Sequence, residues 1–403
     1  MNRITFLLGA GASIPAGYSS TKCLTKTIRA SENYCRHTDQ QFYRCFPERE
    51  RPVTDYTMPV VDRIIDWLFK QTKEYFQDRG ECKELNYEDI YYLASQLRDD
   101  ATELQNPALL PLIRKLKCDM TLWQECSEYC SLKGIPDLDR SDFNHFCSET
   151  CHYIEHIVTD LLSLNGKCCT RHLEIIKTIH EVDGLELRGI ATLAHDTHVE
   201  RNLRSAGIKL ADGFSPPIPS DTLRIWKNQF SSCDGIPFVK LHGSVNWTSF
   251  ELPEPSKYEK LPQSEIGVRE PSYLDESVYL HSGGVNRRPF LLIGTFNKPA
   301  QYNWGLMLDI HYRFRKILEG SDTLVVCGYS FGDKAINTQL IFWCNAERSR
   351  SLVVIDPSDR SDVINSARYA ARELLRDRGT ARFITKPMEE VEPCELLEVL
   401  VSR

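Results

Sequence analysis

The chain contains no apolar run near the roughly 18 residues that cross a bilayer, so no membrane span is expected. Despite 15 cysteines it has no Cys-x-x-Cys pair, the ligand pattern of zinc ribbons. No Gly-Lys-Ser or Gly-Lys-Thr closes its N-terminal glycine-rich turn, and the next lysine, Lys22, is too far on for a phosphate-binding P-loop. Basic residues are not in excess: 49 against 56 acidic residues leave a formal net charge of −7, which argues against broad binding to nucleic acid. There is no internal repeat or low-complexity tract, and no signal peptide is expected, since Met1-Asn2-Arg3 leads at once into an apolar run. The cysteines are therefore expected to be reduced thiols in a cytoplasmic protein.

What is present starts at once. Ile4 to Gly17 runs Ile-Thr-Phe-Leu-Leu-Gly-Ala-Gly-Ala-Ser-Ile-Pro-Ala-Gly, a buried-type strand entering a glycine-rich turn. Gly9 and Gly11 let the backbone turn sharply and approach a pyrophosphate, with Ser13 and the free amides as donors. The dehydrogenase pattern Gly-x-Gly-x-x-Gly fails at Ile14, and no second strand ends in an acidic residue about 20 residues later, which disfavours hydride transfer.

Three later segments have the same form, an apolar run broken by polar or glycine residues: Ile190 to Glu200, Phe238 to Trp247 and Leu324 to Asn337. A fifth run, Leu352 to Ile355, ends in Asp356 and Pro357. Ligands of open parallel sheets sit at the carboxyl ends of the strands, so these ends are expected to converge on one site.

The ordered set Gly-Ala-Gly-Ala-Ser, Thr-x-x-x-Asp-x-x-x-Glu, Lys-Leu-His-Gly-Ser and Gly-Tyr-Ser-Phe-x-Asp resembles the sirtuin-like NAD-hydrolase family of bacterial anti-phage defence, with motifs spanning residues 9 to 357. The resemblance implies a doubly wound Rossmann-like parallel sheet with a large helical insertion, and NAD as the substrate. It places His242 at the nicotinamide ribose and Asp196 at the nicotinamide carboxamide. The pyrophosphate falls to Gly9, Ala10, Gly11, Ala12 and Ser13, with Gly17 closing the turn and Thr192, Gly243, Ser244 and Tyr329 nearby in the motifs. Gly328 and Ser330 cover the ribose-phosphate side, and Asn337 and Asp356 face the adenosine.

One departure stands out. The family's second motif carries asparagine where this chain has Ala194, although Thr192, Asp196 and Glu200 match. In the resemblance that asparagine orients the ribose or the attacking water, a task alanine has no side-chain donor or acceptor to perform. Either this branch binds nucleotide without hydrolysing it, or asparagine was deliberately changed to alanine; the intact neighbouring positions favour the second. His195, beside the gap, occupies the alternate strand-tip position and is expected to point away.

The implied reaction splits the bond between nicotinamide and ribose. The leaving nitrogen is already cationic in NAD, so no leaving-group acid is needed and no metal is required. His242, with a reference pKa near about 6.5, is suited to take a proton from a ribose hydroxyl or from water. The cysteines point the same way: Cys126 and Cys130, and Cys147 and Cys151, are spaced by four as on helix faces and read as buried reduced thiols; His152, Cys168 and Cys169 add possible ligands, but a helical metal site is the less favoured reading. Without a zinc module, protein deacetylation is disfavoured.

Residues 1–50 are expected to begin the nucleotide domain, 51–184 to form the helical insertion, and 185–403 to complete the domain. Apolar spacing predicts helices over Val60–Tyr75, Tyr87–Leu104, Ala108–Leu116, Leu122–Leu132, Asp142–Leu164 and Arg171–Val182. Glu251 to Asn286, rich in proline, serine and acidic residues, reads as an irregular excursion. The resemblance further implies a homo-oligomer or a separately encoded partner, such as a ring-shaped ATPase or an Argonaute-like protein. The rival expectation is a non-catalytic sensor of NAD or ADP-ribose.

Overall fold

The computed structural model describes residues 2–30, 34–36, 42–44, 57–81, 84–99, 107–119, 121–124, 126, 143–163, 171–217, 223–230, 235–251, 264–269, 286–294, 298–303, 305–377 and 379–401. Contacts divide the chain into two units: Met1–Tyr18, Leu162–Leu292 and Lys298–Arg403 form one, and Ser19–Leu161 with Ile293–Asn297 the other. The insertion by this division runs from 19 to 161, against the 51–184 drawn from the sequence. In chain order the strands are β1 (Asn2–Leu8), β2 (Tyr34–Arg36), β3 (Phe42–Arg44), β4 (Leu185–Thr192), β5 (Leu210–Ala211), β6 (Gly213–Phe214), β7 (Leu223–Gln229), β8 (Ile236–Lys240), β9 (Gly243–Glu251), β10 (Ser264–Arg269), β11 (Asn286–Leu291), β12 (Thr323–Cys327), β13 (Ser351–Ile355) and β14 (Ala381–Ile384).

Seven strands make the main sheet in the order β14-β13-β12-β1-β4-β8-β5, with every pairing parallel. Alternation sorts their side chains onto two faces. Leu7, Ala191, Val239, Leu324, Val326, Leu352 and Val354 pack under the helices Gly305–Glu319 and Lys334–Ala346. Ile4, Phe6, Leu8, Ile190, Phe238, Val325, Val353 and Ile355 pack under the helices Arg171–Glu181, His198–Ser205 and Pro393–Val401. The sheet is thus doubly wound and Rossmann-like. The helix Arg171–Glu181, counted with the insertion from sequence, covers this sheet because Leu173, Ile175, Ile176 and Ile179 project from one side of it.

The chain passes from β1 to β4 and on to β8, then returns to lay β12 against the other side of β1. That reversal puts the switch point, where open α/β sheets hold their ligands, between the ends of β1 and β12. A second sheet of the same unit is antiparallel, ordered β11-β9-β10-β7-β6. It corrects the reading of Glu251–Asn286 as irregular throughout: residues 264–269 form β10, paired with β9 and β7. Residues 252–263 and 270–285 of that stretch lie outside the described residues.

The inserted unit is helical, with the antiparallel ribbon of β2 and β3. Its helices include Thr21–Arg29, capped by Ser20 accepting from the Cys23 amide, and Thr57–Asp78, Tyr87–Asp99, Leu110–Lys117 and Phe143–Ser163. Val60, Val61, Ile64, Ile65, Leu68 and Phe69 bury one face of the second, and Phe146, Ile154, Ile157 and Val158 one face of the last. Cys126, Cys147 and Cys151 are buried, whereas Cys130, Cys168, Cys169 and residues 100–104, 127–132 and 164 lie outside the described residues. Among the described residues no group of three His, Cys, Asp or Glu side chains is placed to hold a metal, and no helix is long and apolar enough to cross a membrane.

Candidate functional site

At the switch point two loops meet backbone to backbone. After β1, residues Ala10–Ala16 form a 3-10 helix that ends at Gly17 in the left-handed region, φ 89°. Gly9 donates its amide to the Cys327 carbonyl (2.8 Å), Gly11 to the Gly328 carbonyl (3.0 Å) and Ala12 to the Gly9 carbonyl (3.0 Å). A Cβ on Gly9 would stand 2.1 Å from the Gly328 oxygen, and one on Gly328 (φ 61°) 2.4 Å from the Ala12 nitrogen. The glycines therefore serve first to let the two strand-tip loops touch. This corrects the expectation of free amides: those of Gly9, Gly11 and Ala12 are engaged within the protein. Ala10 and Ser330 are exposed, and Asp356, whose Oδ1 accepts from the Ser358 amide (2.9 Å), is half-buried. The buried Ser13 hydroxyl has no hydrogen-bond partner among the described residues, a polar atom left over within this turn.

Under that turn His172 stacks on His198 at 5.2 Å, with their Nε2 atoms 3.2 Å apart. Asn202 donates to His198 Nδ1 (2.8 Å), which leaves the proton of the neutral ring on Nε2, directed to His172. Burial, then the neighbouring His198, pull His172 down to about 4 against a smaller upward effect of the Ala12 backbone.

The second and third motifs are bound to one another. Lys240 pairs with Glu200 (2.9 Å) and donates to the Asp196 carbonyl, all of it buried. Burial pushes the Glu200 carboxyl up while Lys240 pulls it back. Backbone bonds reinforce the pair: Leu241 donates to the Thr192 carbonyl (2.8 Å) and Val245 to the His195 carbonyl (2.9 Å). Thr192 Oγ1 accepts from the amide of the buried Ala194 (3.1 Å), and Asp196 Oδ1 accepts from the His198 amide (2.9 Å) at the start of the next helix. Two residues expected at the ligand are internal. Ser244 is fully buried with its hydroxyl 2.6 Å from Asn246 Oδ1, and Gly243 (φ 79°) lies where a Cβ would be 2.1 Å from the Phe290 oxygen.

His242, at the tip of β8, is buried with Nε2 at 2.9 Å from the Tyr302 hydroxyl and 3.1 Å from Asp333 Oδ2. Tyr302 itself donates to Asp333 Oδ2 (2.7 Å). The other oxygen of Asp333 caps the helix Lys334–Ala346, accepting from the amides of Ala335 (2.8 Å) and Ile336 (3.0 Å). Burial alone would raise the Asp333 pKa; the hydrogen bond and charge of His242, the charge of Lys298 and the Ile336 amide outweigh it and hold the carboxyl well below its usual range. An ionised carboxylate on Nε2 fixes the imidazole tautomer and leaves Nδ1 as its acceptor. Behind the pair, His311 lies 3.7 Å from the Tyr302 ring, sits within hydrogen-bond reach of the Leu241 carbonyl (3.1 Å) and is lowered to about 4, chiefly by burial.

His195 does not point away: its ring lies 6.2 Å from that of His242. Burial, then the charges of His242, Lys298 and Lys240, push it well below the ordinary value, so it stays neutral and is a poor receiver of a proton. Asn337, expected at the adenosine, braces its own loop. Its Oδ1 accepts from Tyr329 (2.8 Å) and its Nδ2 donates to the Phe331 carbonyl (2.7 Å). Through this loop the site is joined, since Gly328 packs on Gly11 at one end and Asp333 meets His242 at the other.

No family model matches the chain, and no curated protein matches it. Solved structures of sirtuins do. A Sir2 homologue in complex with NAD is 12% identical over 99% of this chain and 89% of its own, with a TM-score of 0.36. Sir2Tm bound to a propionylated peptide is 11% identical over 98% and 92%, with a TM-score of 0.35. A Sir2 with peptide and NAD+ is 9% identical over 98% and 92%, with a TM-score of 0.37. Likeness at this level identifies neither substrate nor reaction. Asp333, Tyr302, Lys298 and His311 were not singled out from sequence; the nearest signal was Asp333, which ends the fourth motif and immediately precedes a helix.

Proposed function

We propose that the chain is built to hydrolyse NAD to nicotinamide and ADP-ribose, and that Ala194 leaves it inactive or slow. The observation that carries this reading is the buried His242 at a strand tip, hydrogen-bonded to an ionised Asp333 and to Tyr302. Water adds to the ribose carbon as the nicotinamide bond breaks; nicotinamide leaves as the neutral base, and one proton is released. His242 Nδ1 takes that proton from the water or from a ribose hydroxyl, and Asp333 stabilises the imidazolium that results. Tyr302 holds the pair in register, and the neutral His195 and His311 add no competing positive charge beside it. Ser13, Ser330 and Asp356 are the polar groups left for the phosphates and adenosine ribose.

The missing asparagine side chain at 194 removes a positioning group, which costs about 10²-fold or more in such sites. That same gap favours the second reading, a sensor that binds NAD or ADP-ribose without turnover. The motif resemblance supports a role as effector in anti-phage defence, as a homo-oligomer or with a separately encoded ATPase or Argonaute-like partner. The test is nicotinamide release from NAD by the Ala194→Asn protein, with and without His242→Ala. Turnover that depends on His242 supports hydrolysis, binding without turnover in both supports the sensor, and NADH formation would indicate a dehydrogenase.

A further inference from the structure

One well-formed cavity lies away from the strand tips. It holds about 960 Å³ at the opposite, amino ends of β4 and β8, and is lined by Glu186, Arg188, Lys209, Tyr312, Arg313 and Lys316 together with backbone at Gly207 and Gly235. Along the five residues of β8 alone, that end stands about 13 Å from the His242 end.

Its charge runs against that of the whole chain, which is −7. Four of these side chains are basic and one is acidic. Glu186 is matched by Arg188 (3.0 Å), and Lys316 by Glu319 (2.8 Å). Lys209 and Arg313 have no carboxylate partner among the described residues; the Arg313 guanidinium lies over the Phe230 ring at 4.5 Å instead. A half-buried guanidinium without a counter-ion is costly unless an anion completes it. Tyr312, 57% exposed on the same wall, offers a ring face for stacking, with the Lys316 ammonium 5.7 Å from its centre.

We propose that this cleft is a second ligand site, taking a nucleotide whose phosphates meet Lys209 and Arg313 and whose base stacks on Tyr312. The volume matches a nucleotide rather than a lone phosphate. The acidic remainder of the chain repels a long polyanion, which favours a small ligand over nucleic acid. The site is independent of NAD hydrolysis and stands or falls separately from it.

The test uses the full chain and ADP as probe. Photo-crosslinking with 8-azido-ADP followed by peptide mapping is expected to label residues 305–319. Lys209→Glu, a change at an exposed position, is expected to weaken ADP binding about tenfold at low salt. Tyr312→Ala is expected to weaken ADP but not inorganic pyrophosphate. Label confined to residues 9–17 or 328–333, unchanged ADP affinity in Lys209→Glu, or pyrophosphate binding as tightly as ADP would each overturn the proposal. So would displacement of ADP by a short oligonucleotide at equal phosphate concentration.

Discussion

Lys240→Met should be among the most damaging single substitutions in the sheet unit, and its cost should depend on pH in a set direction. Lys240 and Glu200 are both buried, 2.9 Å apart, and the second carboxylate oxygen of Glu200 has no hydrogen-bond partner among the described residues. Removing the ammonium strands a buried charge, which typically costs about 3–5 kcal/mol. Glu200 can escape part of that cost by binding a proton. Burial already raises the Glu200 pKa in the parent and losing Lys240 raises it further, so the loss is smallest at acid pH, where both proteins hold the proton, and grows by about 1.4 kcal/mol per unit as pH rises between the two folded pKa values. Urea unfolding of parent and variant between about pH 4.5 and 7.5 measures this difference. Lys240→Met combined with Glu200→Gln should recover most of it, since no charge remains buried. A deficit below about 1 kcal/mol at neutral pH, or one flat with pH, would refute a tight pair linking the second and third motifs.

Gly328→Ala should cost at least about 2 kcal/mol, because it adds both a left-handed φ and a Cβ 2.4 Å from the Ala12 nitrogen. Gly207→Ala, left-handed but facing open space, should cost only about 1 kcal/mol; equal losses would contradict the stacked loops. His311, lowered from 6.5 to about 4, contributes stability that is fully present above pH 6.5 and is lost as pH falls towards 4, about 3 kcal/mol in all. Unfolding titrations of His311→Gln should lack that part of the acid loss; an unchanged profile would place the titration elsewhere. In the Ala194→Asn background, Asp333→Asn should lower kcat about 10²-fold or more and Tyr302→Phe by less, as steady-state nicotinamide release would show.

Much of the architecture was legible because strand ends in a parallel sheet carry a sharp signal, an apolar run stopped by glycine or polar residues. Gly9, Ala194, His242 and Gly328 do all follow strands of one sheet. The motif resemblance drew on loops that lie at one end of the main sheet, yet several motif residues serve the fold. Lys240 and Glu200 pair, Ser244 meets Asn246, Gly243 makes room for β11, and Asn337 braces the Gly328 loop. Sequence spacing cannot separate such internal duties from ligand contacts, because both demand a fixed residue type. Tyr302 was invisible for a different reason. It comes from a short helix-and-turn segment 60 residues after His242 and reaches it only through space. The second sheet was obscured because the composition of residues 251–286 outweighed the six residues of β10.

The most direct measurement is nicotinamide release by the Ala194→Asn protein incubated with NAD, alongside the same protein carrying His242→Ala. Hydrolysis in the first and its loss in the second are the predicted results. Turnover that survives without the imidazole would contradict the claim that His242, held by Asp333 and Tyr302, performs the chemistry.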